Sequence, residues 1–153
     1  MRRADKEIKD QETIIGILKG GDTLHIAAVE GSRPYIFTVN YGFDGENIFF
    51  HSAKQGRKIN ILKQLPTVSF QVITENRIAP ETTGCRWTCL YTSVYGEGKA
   101  EFLDDFDEKV YALNALMKQY GGEEEAFPRE SVDSVEVIRI VPEVLTGKTY
   151  SPK

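Results

Sequence analysis

Apolar positions change their spacing several times along the chain, and each change predicts a new element. Ile14, Ile15 and Leu18 fall on one helical face behind Asp10, a good N-cap, with Glu12 in the first turn where the helix dipole favours an anion. Gly20-Gly21 stops that helix. Residues 23–29 and 35–41, rich in β-branched and aromatic side chains, predict two strands about the turn Glu30-Gly31-Ser32-Arg33-Pro34. Asp44-Gly45, the strongest short hairpin signal present, leads into a strand over 47–52. A short helix over 55–65, with Ile59 and Leu62 on one side, ends at Pro66, and residues 67–74 alternate well enough for another strand.

The second half continues in the same manner. Residues 75–90 are polar, contain Pro80 and Gly84, and predict a long loop of the kind that often carries function. A long strand over 91–103 holds Gly96 and Gly98, which marks a bulge or a bend able to close a barrel. Phe106, Val110, Leu113, Met117 and Tyr120 recur at three- and four-residue steps, an amphipathic helix whose stripe reads as core rather than as a cofactor box. Residues 121–125 form a solvated turn, 134–141 a last strand, and a short polar tail follows. Without a repeat or a break in composition, residues 1–153 read as one domain, mostly β (α+β): an antiparallel sheet or barrel with a few short helices.

Charge narrows the function classes. Hydrophobic residues at 41% and charged residues at 27% describe a globular chain rather than a disordered one. Nineteen Lys and Arg against 23 Asp and Glu leave a net charge of −4, which argues against a general nucleic-acid surface. No apolar run approaches the roughly 18–20 residues that span a bilayer. Met1-Arg2-Arg3 has no apolar segment behind it, so no signal peptide is expected and the expected compartment is the cytoplasm. Cys85 and Cys89 are four apart, without the redox spacing, and His25 and His51 lie far from them. No metal site is expected, and the thiols read as reduced.

The segment from His51 to Lys58 is the most informative. It lies where a strand hands over to a helix, whose first backbone N–H groups are unpaired and carry partial positive charge. Gly56 lets the chain turn closely around a ligand, and Lys54, Arg57 and Lys58 add fixed charge. From Asn47 to Thr74 there is no Asp or Glu. Basic residues at a helix N-terminus oppose the dipole unless an anion is present, so the segment predicts phosphate binding; the alternative is an exposed helix start in an uneventful loop. It lacks the P-loop pattern, and Gly96-Glu97-Gly98-Lys99 has the wrong spacing for a nucleotide fingerprint.

Several motifs, taken in order, resemble the pyridoxamine 5′-phosphate oxidase-like FMN-binding split barrels. They are the strand over 35–41, Ile48-Phe49-Phe50-His51-Ser52, Gly56-Arg57-Lys58, Pro66-Thr67-Val68-Ser69-Phe70, and Ser93-Val94-Tyr95-Gly96-Glu97-Gly98-Lys99-Ala100-Glu101. Arg86-Trp87 before Tyr91-Thr92-Ser93-Val94, His51 closing its strand, and Thr146-Gly147-Lys148 after the last strand look most like the 5-nitroimidazole-resistance (Nim) type of flavoprotein. The resemblance runs from about Asp10 to Lys148.

It implies a homodimeric split β-barrel with FMN in grooves between subunits, acting as an oxidoreductase on small, nitro-aromatic or quinone-like compounds. Arg57 and Lys58 would hold the FMN phosphate, His51 and Ser52 would line the phosphate and ribityl region, the main chain of Thr38, Val39 and Asn40 would follow the isoalloxazine, and Ser93 would reach it from a neighbouring strand. His51 reads either as a cofactor contact, as a weaker candidate proton donor, or as a strand-end residue bonded to backbone. His25 reads as a satisfied, partly buried histidine. Trp87 reads either as a shield for the flavin or as an anchor of the loop in the core. The family's oxidase proper has a Lys near Asn40 and a basic C-terminal substrate site; neutral Asn40 and the ending Lys148-Thr149-Tyr150-Ser151-Pro152-Lys153 do not reproduce them, so pyridoxamine oxidation is not expected. The alternative function is a non-catalytic barrel that sequesters flavin or uses the groove for haem, with His25 and His51 as the only histidine ligands.

Overall fold

Alternation along the strands builds a single antiparallel sheet that curls on itself around one main core. The computed structural model describes residues 4–151; Met1 to Arg3, Pro152 and Lys153 lie outside the described residues. After a 3-10 turn come β1 (Glu7–Ile8), α1 (Gln11–Lys19), β2 (Leu24–Glu30), β3 (Arg33–Val39), β4 (Gly42–Phe43) and β5 (Ile48–Ala53). Then follow α2 (Arg57–Gln64), β6 (Thr67–Ala79), β7 (Thr88–Phe102), α3 (Phe106–Gln119), α4 (Arg129–Asp133) and β8 (Val135–Tyr150). The strands are ordered β3-β2-β6-β7-β8-β5-β4, with β1 added to β8. Among the described residues no helix is long and apolar enough to cross a membrane.

One face of each strand supplies the core. Leu24, Ile26 and Ala28 of β2, Val68, Phe70 and Val72 of β6, and Ile48 and Phe50 of β5 meet Ile14 and Leu18 of α1 and Ile59 and Leu62 of α2. Asp10 caps α1 through a 2.8 Å bond from the Thr13 N–H to its carboxylate. Gly96 faces Phe70 across β7 and β6; a Cβ there would lie 2.2 Å from the ring, so the aromatic fills the space that glycine leaves. The other face of β5 and β8 carries a second, smaller core, Phe49 and Val137 against Ala112, Ala115 and Leu116 of α3.

Three expectations about the strands give way. The loop expected over 75–90 is mostly strand: β6 and β7 continue past a register shift between Ile73 and Glu75 into a ribbon that pairs Asn76 with Tyr91 and Ala79 with Thr88. Both faces of its outer part meet solvent, so no apolar alternation announces it. Likewise the polar tail expected after residue 141 is the second half of β8, which pairs with β7 as far as Tyr91 opposite Tyr150. Thr146-Gly147-Lys148 therefore lies inside the last strand and not after it. Pro142, which has no N–H to donate, sits at the Glu97/Gly98 register shift, where the ladder is already interrupted. The short elements β1 and α4 carry too few residues to show a period.

Candidate functional site

Among the described residues the sheet ends at β3, which pairs only with β2, so one row of β3 backbone groups has no strand partner there. Across the open seam the rings of Phe37 on β3 and Phe50 on β5 stand 6.3 Å apart between centroids. Tyr35 and Phe37 project toward the barrel but remain partly open to solvent, and their rings lie 5.6 Å apart. The chain leaves β5 at Ala53 and turns through Lys54, Gln55 and Gly56 into α2 beside this aromatic rim.

Gly56 is the N-cap of α2, with φ 137° and no side-chain hydrogen bond to the helix. A side chain would be strained at that angle, and nothing lies within 4 Å of where its Cβ would be. The α2 first turn has no acidic residue and its leading N–H groups have no side-chain acceptor, so this end offers donors and positive dipole to an anion. The Lys58 ammonium stands 5.7 Å from the Phe37 centroid. Neither Lys54 nor Lys58 forms an ion pair among the described residues.

Arg57 has an internal partner that the sequence did not reveal. Its Nε and Nη2 donate to Glu30 Oε2 at 3.2 and 2.7 Å, and its guanidinium lies 4.5 Å over the Tyr35 ring. The acidic residue comes from the end of β2, 27 positions away, so no local pattern could have named it. The strand that carries Tyr35 and Phe37 was expected from the sequence; their place as a rim under Arg57 and Lys58 was not.

The other expected residues divide between places. Thr38 accepts or donates at 3.0 Å with His25 Nδ1, which gives His25 the satisfied, half-buried role read from the sequence. Val39 is buried and faces the core, while Asn40 donates from Nδ2 to the Asp22 carbonyl at 3.3 Å. Ser52 is buried on the inner face of β5. His51, one residue earlier, faces the opposite side, because strand side chains alternate. It stands at the mouth of an apolar cleft of about 230 Å³ formed with Leu113, Leu116, Met117, Phe127 and Val132. Burial, and then the charge of Lys58, hold its pKa below the ordinary histidine value, so it is neutral at pH 7.

Ser93 is half-buried on the outer face of β7, opposite Ile73 on β6 and Lys148 on β8. Two strands separate it from β3, a lateral distance of about 14 Å, so one chain does not bring it to the seam. Trp87 does not anchor its loop in the core: it is 56% exposed at the ribbon tip, where Nε1 donates to the Glu81 carbonyl at 2.9 Å. Cys85 is exposed and unbridged, and the half-buried Cys89 thiol donates to Asn76 Oδ1 at 3.1 Å.

Solved structures of this fold span several bacteria. A Bacteroides thetaiotaomicron protein put forward as a 5-nitroimidazole antibiotic resistance protein is 24% identical, superimposes with a TM-score of 0.83, and is matched over 93% of this chain and 85% of its own. The FAD and heme binding protein of Mycobacterium smegmatis is 16% identical with a TM-score of 0.86, over 96% and 74% of the two chains. A FAD-binding protein of Mesorhizobium loti is 20% identical with a TM-score of 0.71, over 95% and 98%. These likenesses establish the fold, a split barrel. No curated protein matches the sequence. The sequence profile of pyridoxamine 5′-phosphate oxidase matches residues 10–149, from the cap of α1 to the end of β8, and the chain belongs to that family.

Proposed function

We propose that the chain is a flavoprotein that holds FMN at the seam between β3 and α2 and acts as an oxidoreductase on small, conjugated acceptors such as nitro-aromatic compounds. One observation carries this reading: an uncapped helix N-terminus with Lys54, Arg57 and Lys58 about it, beside the unpaired edge of β3. The N–H groups of the α2 first turn and Lys58 receive the phosphate, and Arg57 exchanges Glu30 for it. Backbone groups at Thr38, Val39 and Asn40 offer the donors and acceptors that a flavin ring edge needs, and Ser52 borders the ribityl region. Bound FMN supplies the electron chemistry, which accounts for a site with no triad, carboxylate pair or metal cluster among its residues. His51, neutral at pH 7, is positioned to give or take a proton at the apolar cleft.

The same reading includes a homodimer. The outer sheet face exposes Ile36 at 70%, with Val29, Tyr95 and Val144 also open, an apolar surface that a second copy would cover. A partner would also bring its own Ser93 toward the first chain's seam.

An absorption spectrum of the purified protein tests the reading. FMN peaks that bleach with NADH or NADPH and return with a nitro-aromatic acceptor are expected; stable flavin without turnover would reduce the proposal to a carrier. A Soret band on haem addition, lost in His51→Ala, would replace it. Light scattering should give a dimer that Ile36→Lys dissociates, and a monomer with full flavin occupancy would refute that part.

A further inference from the structure

We propose that the dish on the outer sheet face where β6, β7 and β8 meet the ribbon binds a small aromatic carboxylate. The inference touches the flavin reading only at Ser93, which belongs to both. The dish has a volume of about 300 Å³ and is lined by Gln71, Ile73, Asn76, Tyr91, Ser93 and Lys148, together with Cys89. It lies beside the register shift after Ile73, where the β6–β7 ladder is interrupted.

Its chemistry is one-sided. Lys148 stands 5.2 Å from the Tyr91 centroid, and Lys6 stands 3.4 Å from the Tyr150 centroid and 5.7 Å from that of Tyr91. Neither lysine has a carboxylate partner among the described residues, although Glu7 is the register partner of Lys148 across β1 and β8. No Asp or Glu lines the dish, in a chain whose net charge is −4. Asn76 already accepts the Cys89 thiol on Oδ1, so its amide nitrogen remains to donate. The Ser93 hydroxyl and the Gln71 amide add further donors.

Part of the lining is apolar: it comes from Ile73, which is 40% exposed, and from the Tyr91 ring. A bare phosphate would use the donors and waste that surface; a neutral aromatic would use the surface and leave the ammonium without an anion. A single-ring carboxylate uses both. The motif Thr146-Gly147-Lys148 thereby acquires a use: Gly147 lets β1 and α1 pack close, since a Cβ there would lie 2.8 Å from Ile8 and 3.0 Å from Ile14, and the next residue presents its charge to the dish.

Isothermal titration of the full chain with benzoate and with benzamide, its neutral isostere, separates charge from shape. Benzoate is expected to bind at least tenfold tighter, and the difference is expected to vanish in Lys148→Met but persist in Lys54→Met. Equal affinities for the two probes, or discrimination unchanged by Lys148→Met, would overturn the proposal. Inorganic phosphate competing as well as benzoate would overturn its aromatic part. Should Lys148→Met fail to fold, a salt series on the unaltered protein replaces it: benzoate should weaken with rising ionic strength and benzamide should not, and parallel curves refute the site. FMN titration runs alongside. Lysine-dependent benzoate binding without FMN binding would sink the flavin reading and leave the dish; FMN binding without benzoate discrimination would do the reverse.

Discussion

Arg57 faces two acids in turn if the seam holds a phosphate, and the exchange can be measured. Its contact with Glu30 uses a single carboxylate oxygen, and the two side chains are 52% and 41% exposed. A pair in near-bulk water shifts an equilibrium by at most about fivefold. A charge-assisted bond to a phosphate dianion at a helix N-terminus is worth about ten- to a hundredfold. The phosphate should therefore win the guanidinium, with Glu30 as a weak competitor. Arg57→Ala is expected to weaken FMN about ten- to a hundredfold, and Glu30→Gln to tighten it by up to about fivefold, since the competing exposed pair is gone. The double variant should match Arg57→Ala, because Glu30 acts only through the arginine. Flavin fluorescence titrations with FMN and with riboflavin provide the readout, and riboflavin should not respond. Equal losses for both ligands would mean that Arg57 acts through folding, and a Glu30→Gln gain that survives in the Arg57→Ala background would refute the competition.

Other expectations concern the frame and its titrating groups. Gly96→Ala should destabilise the protein by about 1–3 kcal/mol in urea unfolding, because the new methyl meets the Phe70 ring, whereas Gly16→Ala, in exposed helix with nothing nearby, should stabilise by about 0.5–1 kcal/mol; equal effects would contradict the packing account. Tyr41 is fully buried, its hydroxyl donates to the Leu18 carbonyl, and burial, followed by Tyr120 and Asp22, raises its pKa well above the ordinary value. The folded state keeps that proton after the unfolded chain has lost it, so stability should fall by about 1.4 kcal/mol per pH unit above about pH 10, and Tyr41→Phe should remove this part of the slope. His51 has a lowered pKa, so its contribution is present above about pH 6.5 and is lost as the pH falls toward its folded value. Lys58→Met should raise the His51 titration midpoint followed by NMR, and an unchanged midpoint would show that burial alone sets it.

The sequence determined most of what depends on one buried face and on chain-local chemistry. The cap at Asp10, the turn at Asp44-Gly45, where Asp44 Oδ1 accepts from the Glu46 and Asn47 N–H groups, and the existence of α3 were readable, because each is decided within a few residues; the buried face of α3 was not, since it is Ala112, Ala115 and Leu116 rather than the expected stripe of Phe106, Val110, Leu113, Met117 and Tyr120. The positive helix start from Lys54 to Lys58 was readable for the same reason. Only the tertiary structure decided the rest. The outer ribbon escapes a reading by alternation, since solvent on both faces imposes none, and the second half of β8 escapes it because its inner row includes Gly147, which has no side chain to show the pattern. His51 and Ser52 are neighbours in sequence but lie on opposite faces of β5, and the partner of Arg57 comes from the end of β2, 27 residues away. Which charges meet is a property of strand register, and register is fixed by the whole sheet.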